Sequence, residues 1–202
     1  MSEQTTERQT PQPPKAKWPW LLAAGALIGA ALIVYVVLRL DSKPAASAQR
    51  GETYTIERLA NPPPQPATAF LDATGAKRTL ADWRGKVVVV NLWATWCAPC
   101  VHEMPTLAAL ADELRAKGGE VLAISVDKEP EAASKTLAQL SGGKLAFYNE
   151  PTYAIAFDAQ APGFPVTIIY DKQGRELARV SGGADWTAGA PKELVLKAMQ
   201  GS

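Results

Sequence analysis

The chain has 202 residues, 47% of them hydrophobic and 20% charged, which suits one globular domain plus further segments. Lys and Arg number 21 against 20 Asp and Glu; this net +1 has neither the basic excess of a general nucleic-acid binder nor the acidic excess of a solvating tail. Two cysteines cannot build a disulfide scaffold, and a single histidine, His102, cannot supply a His-rich metal site.

Residues 1–17 are polar and contain Pro11, Pro13 and Pro14, a composition that predicts an unfolded tail. Trp18 to Leu38 are 21 consecutive uncharged, mostly apolar positions. As a helix they span about 31 Å, enough for the hydrocarbon core of a bilayer. Trp18 and Trp20 at one end and Tyr35 near the other suit its interfaces. Arg8, Lys15 and Lys17 precede the span and Arg39, Lys43 and Arg50 follow it, so charge does not orient it. A first hydrophobic helix usually leaves its N-terminus in the cytoplasm, which makes 1–17 a cytoplasmic tail. A cleaved signal peptide ending near Ala46-Ser47-Ala48 is the competing reading, and the length of the apolar run argues for an uncleaved anchor. Both readings put the rest of the chain outside the cytoplasm. Residues 39–67, with Asn61-Pro62-Pro63-Pro64-Gln65-Pro66, read as a Pro-rich linker, either an inert spacer or a device for reaching membrane-bound partners.

Residues 68–202 are long enough to bury a sizeable core. Phe70 to Leu80 reads as a hairpin around Asp72-Ala73-Thr74-Gly75. Lys86 to Trp93 holds the run Val87-Val88-Val89-Val90, the mark of a strand covered on both faces. A helix is predicted from Cys97 to about Lys117, with Met104, Leu107, Ala108, Ala111 and Leu114 on one side and Gly118-Gly119 as its stop. Then follow a strand at Val121–Val126, a helix at Glu131–Leu140, a short strand at Leu145–Tyr148 and a helix at Thr152–Ala159. Val166–Tyr170 and Glu176–Val180 flank the turn Asp171-Lys172-Gln173-Gly174 as a hairpin, and Lys192–Met199 closes the chain as a helix. The order predicts an α/β domain, a mixed central sheet flanked by helices.

Both cysteines fall in Trp93-Ala94-Thr95-Trp96-Cys97-Ala98-Pro99-Cys100, between a strand and a helix. A structural disulfide there closes too small a loop to constrain the unfolded chain. A zinc half-site lacks further ligands, and a two-thiolate copper site lacks a distant His. Dithiol–disulfide exchange remains. Free amide N–H groups at the helix start favour a thiolate at Cys97, the attacking nucleophile. Cys100, one turn later, resolves the mixed disulfide. Pro99 fits the first turn, and Pro105 interrupts the helical hydrogen bonding and predicts a kink. No metal or cofactor is needed.

The run Asn91 to Cys100, followed by Glu103-Met104-Pro105, resembles the active site of TlpA-like thiol–disulfide reductases, membrane-anchored thioredoxin-fold proteins of bacteria. The resemblance covers roughly Thr68 to Gln200 and extends to the N-terminal anchor. It implies a thioredoxin-like fold, a periplasmic domain on a single-pass inner-membrane anchor, and a cis-proline loop at Gly163-Phe164-Pro165 offering the Phe164 backbone to an extended substrate. Asn91 stands where cytosolic thioredoxins place a buried carboxylate. Glu103 matches an acid of the extracytoplasmic relatives, able to move protons to and from Cys100; the alternative is a solvated helix Glu. Trp93 and Trp96 suit the core and rim of such a site, His102 the surface, and Trp186 resembles a C-terminal feature of the group with no role evident. The second cysteine pair of some relatives is absent.

The resemblance favours a reductant fed by a membrane thiol transporter. Its expected acceptors are oxidised cysteines of copper-delivery proteins or of the copper-binding subunit of a respiratory oxidase; apocytochrome c is the alternative. The loop before Pro165 lacks the Glu-containing insertion of dedicated cytochrome c reductases, which favours copper-site assembly. Rival activities are a non-catalytic binding module, a dithiol oxidase and a peroxidase; the last expects Thr where Ala94 stands, three residues before the nucleophile.

Overall fold

The computed structural model describes residues 54–201. The expected tail, membrane span and first part of the linker lie outside those residues. Among the described residues no helix is long and apolar enough to cross a membrane.

In chain order the elements are β1 (Thr55–Glu57), β2 (Phe70–Asp72), β3 (Lys77–Arg78), a 3-10 turn (Leu80–Trp83), β4 (Val88–Trp93), α1 (Ala98–Ala116), β5 (Glu120–Ser125), α2 (Pro130–Ser141), β6 (Phe147–Asn149), α3 (Ala154–Asp158), β7 (Val166–Tyr170), β8 (Glu176–Ser181) and α4 (Gly189–Gln200). They form one mixed sheet in the order β1-β8-β7-β4-β5-β6-β2-β3. β4 pairs parallel with β5 and antiparallel with β7, so the strand leading to the cysteines is central. This is the predicted mixed sheet with flanking helices. It differs from the expectation at its edge, because Thr55–Glu57, inside the segment read as linker, pairs antiparallel with β8. Smaller differences are α4, which starts at Gly189, and α3, which is only five residues long.

The period of two along β4 sorts its side chains. Val88, Val90 and Leu92 pack with Phe70, Leu122, Ile155 and Ile168 on one face. Val89 and Trp93 pack with Met104, Leu107, Leu137, Trp186 and Val195 on the other. Asn91 lies between Val89 and Trp93 in the same alternation, so it faces α1 from inside the core. All six β4 residues are buried, as the β-branched run predicts.

The loop from β4 to α1 is tied to β5. Asp127, just past β5, accepts from the Thr95 amide at 3.0 Å and its hydroxyl at 2.7 Å, and from the Ser125 hydroxyl at 2.8 Å. Asn149 on β6 donates to the Ser125 and Asp127 carbonyls at 3.1 and 2.9 Å. A second buried anchor holds the segment after α3. Arg179 pairs bidentately with Glu176 at 2.6 and 2.7 Å and donates to the Gln160 and Ala159 carbonyls at 3.0 and 3.1 Å. Hydrogen bonding to Glu176 raises the Arg179 pKa, keeping the guanidinium charged.

Asp127→Ala strips the Thr95 amide and the buried Ser125 hydroxyl of their acceptor. Its expected cost is about 2–4 kcal/mol, read as a lower denaturation midpoint, with Asp127→Asn losing less. An unchanged midpoint in Asp127→Ala rules out this anchoring.

Candidate active site

Cys97 and Cys100 form a disulfide across the first turn of α1, with Cα atoms 5.3 Å apart. The turn arises because Cys97 is the N-cap in extended conformation and Pro99 occupies the first turn, where no helical amide partner is needed. The Cys97 sulfur accepts from the Cys100 amide at 3.3 Å, the bond an N-cap side chain makes. Cys97 retains 6% of its surface and Cys100 none, so the outer sulfur belongs to Cys97. α1 runs on unbroken through Pro105 to Ala116.

Glu103 follows one turn after Cys100 and is 3% exposed, so it is not a solvated helix residue. Asn91 donates to its Oε1 at 2.7 Å. The Ala184 amide and the Trp186 indole N–H both donate to its Oε2 at 3.1 Å. The Asn91 amide group also donates to the Thr167 hydroxyl on β7 at 2.9 Å. An ionised carboxylate only accepts, so the Asn91 amide must present its nitrogen to Glu103. Burial disfavours a charged carboxylate and the three donors favour it; the site sets one against the other.

The rim is aromatic. Trp96 is 61% exposed and meets Phe164 edge-on at 5.9 Å between centroids, and Tyr153 contacts Phe164 from the other side at 6.1 Å. The Phe164–Pro165 bond is cis. Beyond Phe164 a groove is lined by Tyr153, Phe157, Ala161 and Pro162 among others, with no charged side chain, and Phe157 is 85% exposed. Trp93 is buried and His102 is exposed, both as expected.

The structure thus assembles Cys97, Cys100 and Glu103 on one helix end, with Trp96, Phe164 and Pro165 around it. The roles of two residues cannot be read from the sequence, although Trp186 is noted for its resemblance. Asp127 is an ordinary Asp after a strand, and its partner Thr95 lies 32 positions away. Trp186 reaches Glu103 across 83 positions.

Comparison with known proteins agrees with this geometry. Residues 63–193 match the AhpC/TSA family. Over 115 residues the chain is 34% identical to the thiol:disulfide interchange protein HelX of Rhodobacter capsulatus, covering 55% of this chain and 63% of HelX. Over 117 residues it is 31% identical to the thiol-disulfide oxidoreductase ResA of Bacillus anthracis, covering 58% of this chain and 67% of ResA. Among solved structures, a thiol:disulfide interchange protein DsbE from Chlorobium tepidum superposes with a TM-score of 0.63 at 26% identity, covering 72% of this chain and 99% of that one. With its cysteine pair at the strand-to-helix turn of a thioredoxin-like sheet, the chain belongs to the AhpC/TSA family, among its TlpA-like thiol–disulfide oxidoreductases.

Proposed function

We propose that the chain is a protein-disulfide reductase acting outside the cytoplasm, held to the bacterial inner membrane by residues 18–38. The observation that carries this reading is the redox pair itself: Cys97, the outer sulfur, caps the N-terminus of α1, and Cys100 is sealed behind it. In the reduced protein the Cys97 thiolate attacks a substrate disulfide, forms a mixed disulfide and expels one substrate thiolate. Cys100 loses its proton to Glu103 and attacks the Cys97 sulfur, which releases the second substrate thiolate. The substrate gains two electrons and, after protonation, two protons, and Cys97–Cys100 becomes a disulfide. A membrane thiol transporter returns the two electrons. Trp96, Phe164 and Pro165 form the surface on which the substrate lies.

The first substrate reading is a copper-delivery protein or the copper-binding subunit of a respiratory oxidase. It rests on the loop before Pro165, which carries no Glu-containing insertion. The second is apocytochrome c, and the uncharged groove beyond Phe164 favours it, since an unfolded polypeptide can lay apolar side chains there. Cys100→Ser leaves the mixed disulfide unresolved, so trapping with this variant is expected to yield the substrate covalently bound to Cys97. Recovery of copper proteins or of apocytochrome c selects the reading, and recovery of neither removes both.

Two measurements test the chemistry. In the reduced protein, ultraviolet thiolate absorbance is expected to titrate Cys97 below the free-cysteine value of about 8.5, because α1 supplies amide donors and dipole. Ionisation at or above that value would sink the nucleophile assignment. Phe157→Ser, on an exposed side chain, is expected to raise KM for a polypeptide substrate about 3–10-fold with kcat kept. An unmoved KM takes the groove out of the substrate surface.

A further inference from the structure

The segment between β8 and α4, Gly182 to Thr187, touches the Pro165 loop, Pro99 and Glu103. The Gly182 amide donates to the carbonyl of Pro165 at 2.9 Å. A Cβ on Gly183 would lie 3.1 Å from the Pro99 side chain and 3.2 Å from its carbonyl oxygen, so this strap lies directly against one of the two residues between the cysteines. The Ala184 amide and the Trp186 indole close on Glu103. The Trp186 amide donates to the Thr106 hydroxyl at 3.3 Å, and that hydroxyl donates to the Glu103 carbonyl at 2.8 Å. Trp186 is thus fixed at both ends to the turn of α1 that carries the carboxylate, and it is fully buried.

We infer that Trp186 is a positioning residue: its indole N–H, with the Ala184 amide, holds the Glu103 carboxylate toward the resolving cysteine and sets the affinity with which it takes the Cys100 proton. This rests on Glu103 being the base for Cys100. The chemistry is selective. The indole nitrogen can only donate, so its bond to Oε2 is strongest when Glu103 is ionised and weakens when the carboxyl accepts a proton. A rigid aromatic donor gives that bias without adding a charge to the core. The titratable groups around Glu103 are few. α1 contributes the two cysteines and His102, which is exposed. β4 and β7 present Asn91 and Thr167, neither of which titrates near neutral pH. The strap contributes Asp185, whose carboxylate is occupied by the Thr187 amide at 2.8 Å and hydroxyl at 2.5 Å.

Trp186→Phe keeps the buried ring and deletes the donor. The test is the resolution step alone, release of the peptide thiol from the mixed disulfide that the full-length reduced protein forms on Cys97 in detergent micelles, followed across the acid and neutral range so that ionisation of Cys97 does not enter. Loss of a donor to the charged form makes Glu103 hold its proton more tightly, so the acid limb of the rate profile is expected to move up by about one pH unit, tenfold in proton affinity. In a Glu103→Gln background the same substitution is expected to move nothing. A purely structural role lowers rate or stability evenly and leaves the midpoint in place, which overturns the inference. Should Glu103→Gln alone retain the acid limb, the reading of Glu103 as base fails instead, so the two failures are distinct. If Trp186→Phe does not fold, the Trp186 indole N–H resonance of the wild-type protein decides. It is expected to shift with the midpoint of the acid limb, and a flat response overturns the proposal.

Discussion

A sulfur gains reactivity from a helix N-terminus only if that N-terminus stays put. The amide donors and the dipole act over the first turn and fall off beyond it. The construction of this domain serves that constraint. A fully buried central strand, β4, delivers the chain to the turn; Asp127 ties Thr95 down before the cysteines; Pro99 removes freedom between them. The Gly182–Thr187 strap closes over the far side, and a Cβ on Gly183 would crowd Pro99 at 3.1 Å.

Behind the cysteines the electrostatic problem is different. An unpartnered ionised carboxylate in the core costs several kcal/mol. Hydrogen bonds to a charged group return about 1.5–3 kcal/mol each, and Glu103 has three N–H donors, one from β4 and two from the Gly182–Thr187 strap. Desolvation and donation therefore oppose each other at this carboxyl, and the proposed proton transfer needs that opposition. Fewer donors shift that balance toward the protonated carboxyl, whereas a cationic partner in place of Trp186 shifts it toward the ionised form. A neutral donor lies between those limits.

What the sequence made legible is what local pattern encodes. The valine run marked β4, the apolar spacing marked α1, and two cysteines at a strand–helix junction pointed to redox chemistry before any coordinates. Glu103 could be placed one turn from Cys100 by helix geometry, but its burial could not, because burial depends on a strap about 80 residues further on. β1 escaped for a similar reason. Three residues beside a proline-rich stretch have no periodicity to read, and Thr55–Glu57 becomes a strand only because β8 offers an open edge. The Asp127 anchor and the Trp186 contact are pairings between distant positions whose residue types are unremarkable alone. The groove beyond Phe164 depends on where Arg179 pins the end of α3, which is again tertiary information.

The position of the single acid then follows from packing. Thioredoxins of the cytosolic kind keep a buried carboxylate on the strand, where this chain has Asn91. Here the strand residue and the helix residue touch, 2.7 Å apart. Two carboxylates at that distance cannot both ionise; they share a proton, and one is forced up in pKa. With Asn on the strand, the contact becomes a donor to Glu103, and the pair holds a single carboxyl. That carboxyl sits on the same helix as the cysteines, so any movement of α1 carries carboxyl and sulfur together. Asn91 also binds Thr167 on β7, the strand that follows Pro165, and the strap binds both Pro165 and Glu103. The cis-proline loop and the Glu103 carboxyl are therefore joined through two routes, and in the proposed mechanism a substrate pressing on Phe164 acts on a frame that also holds the base.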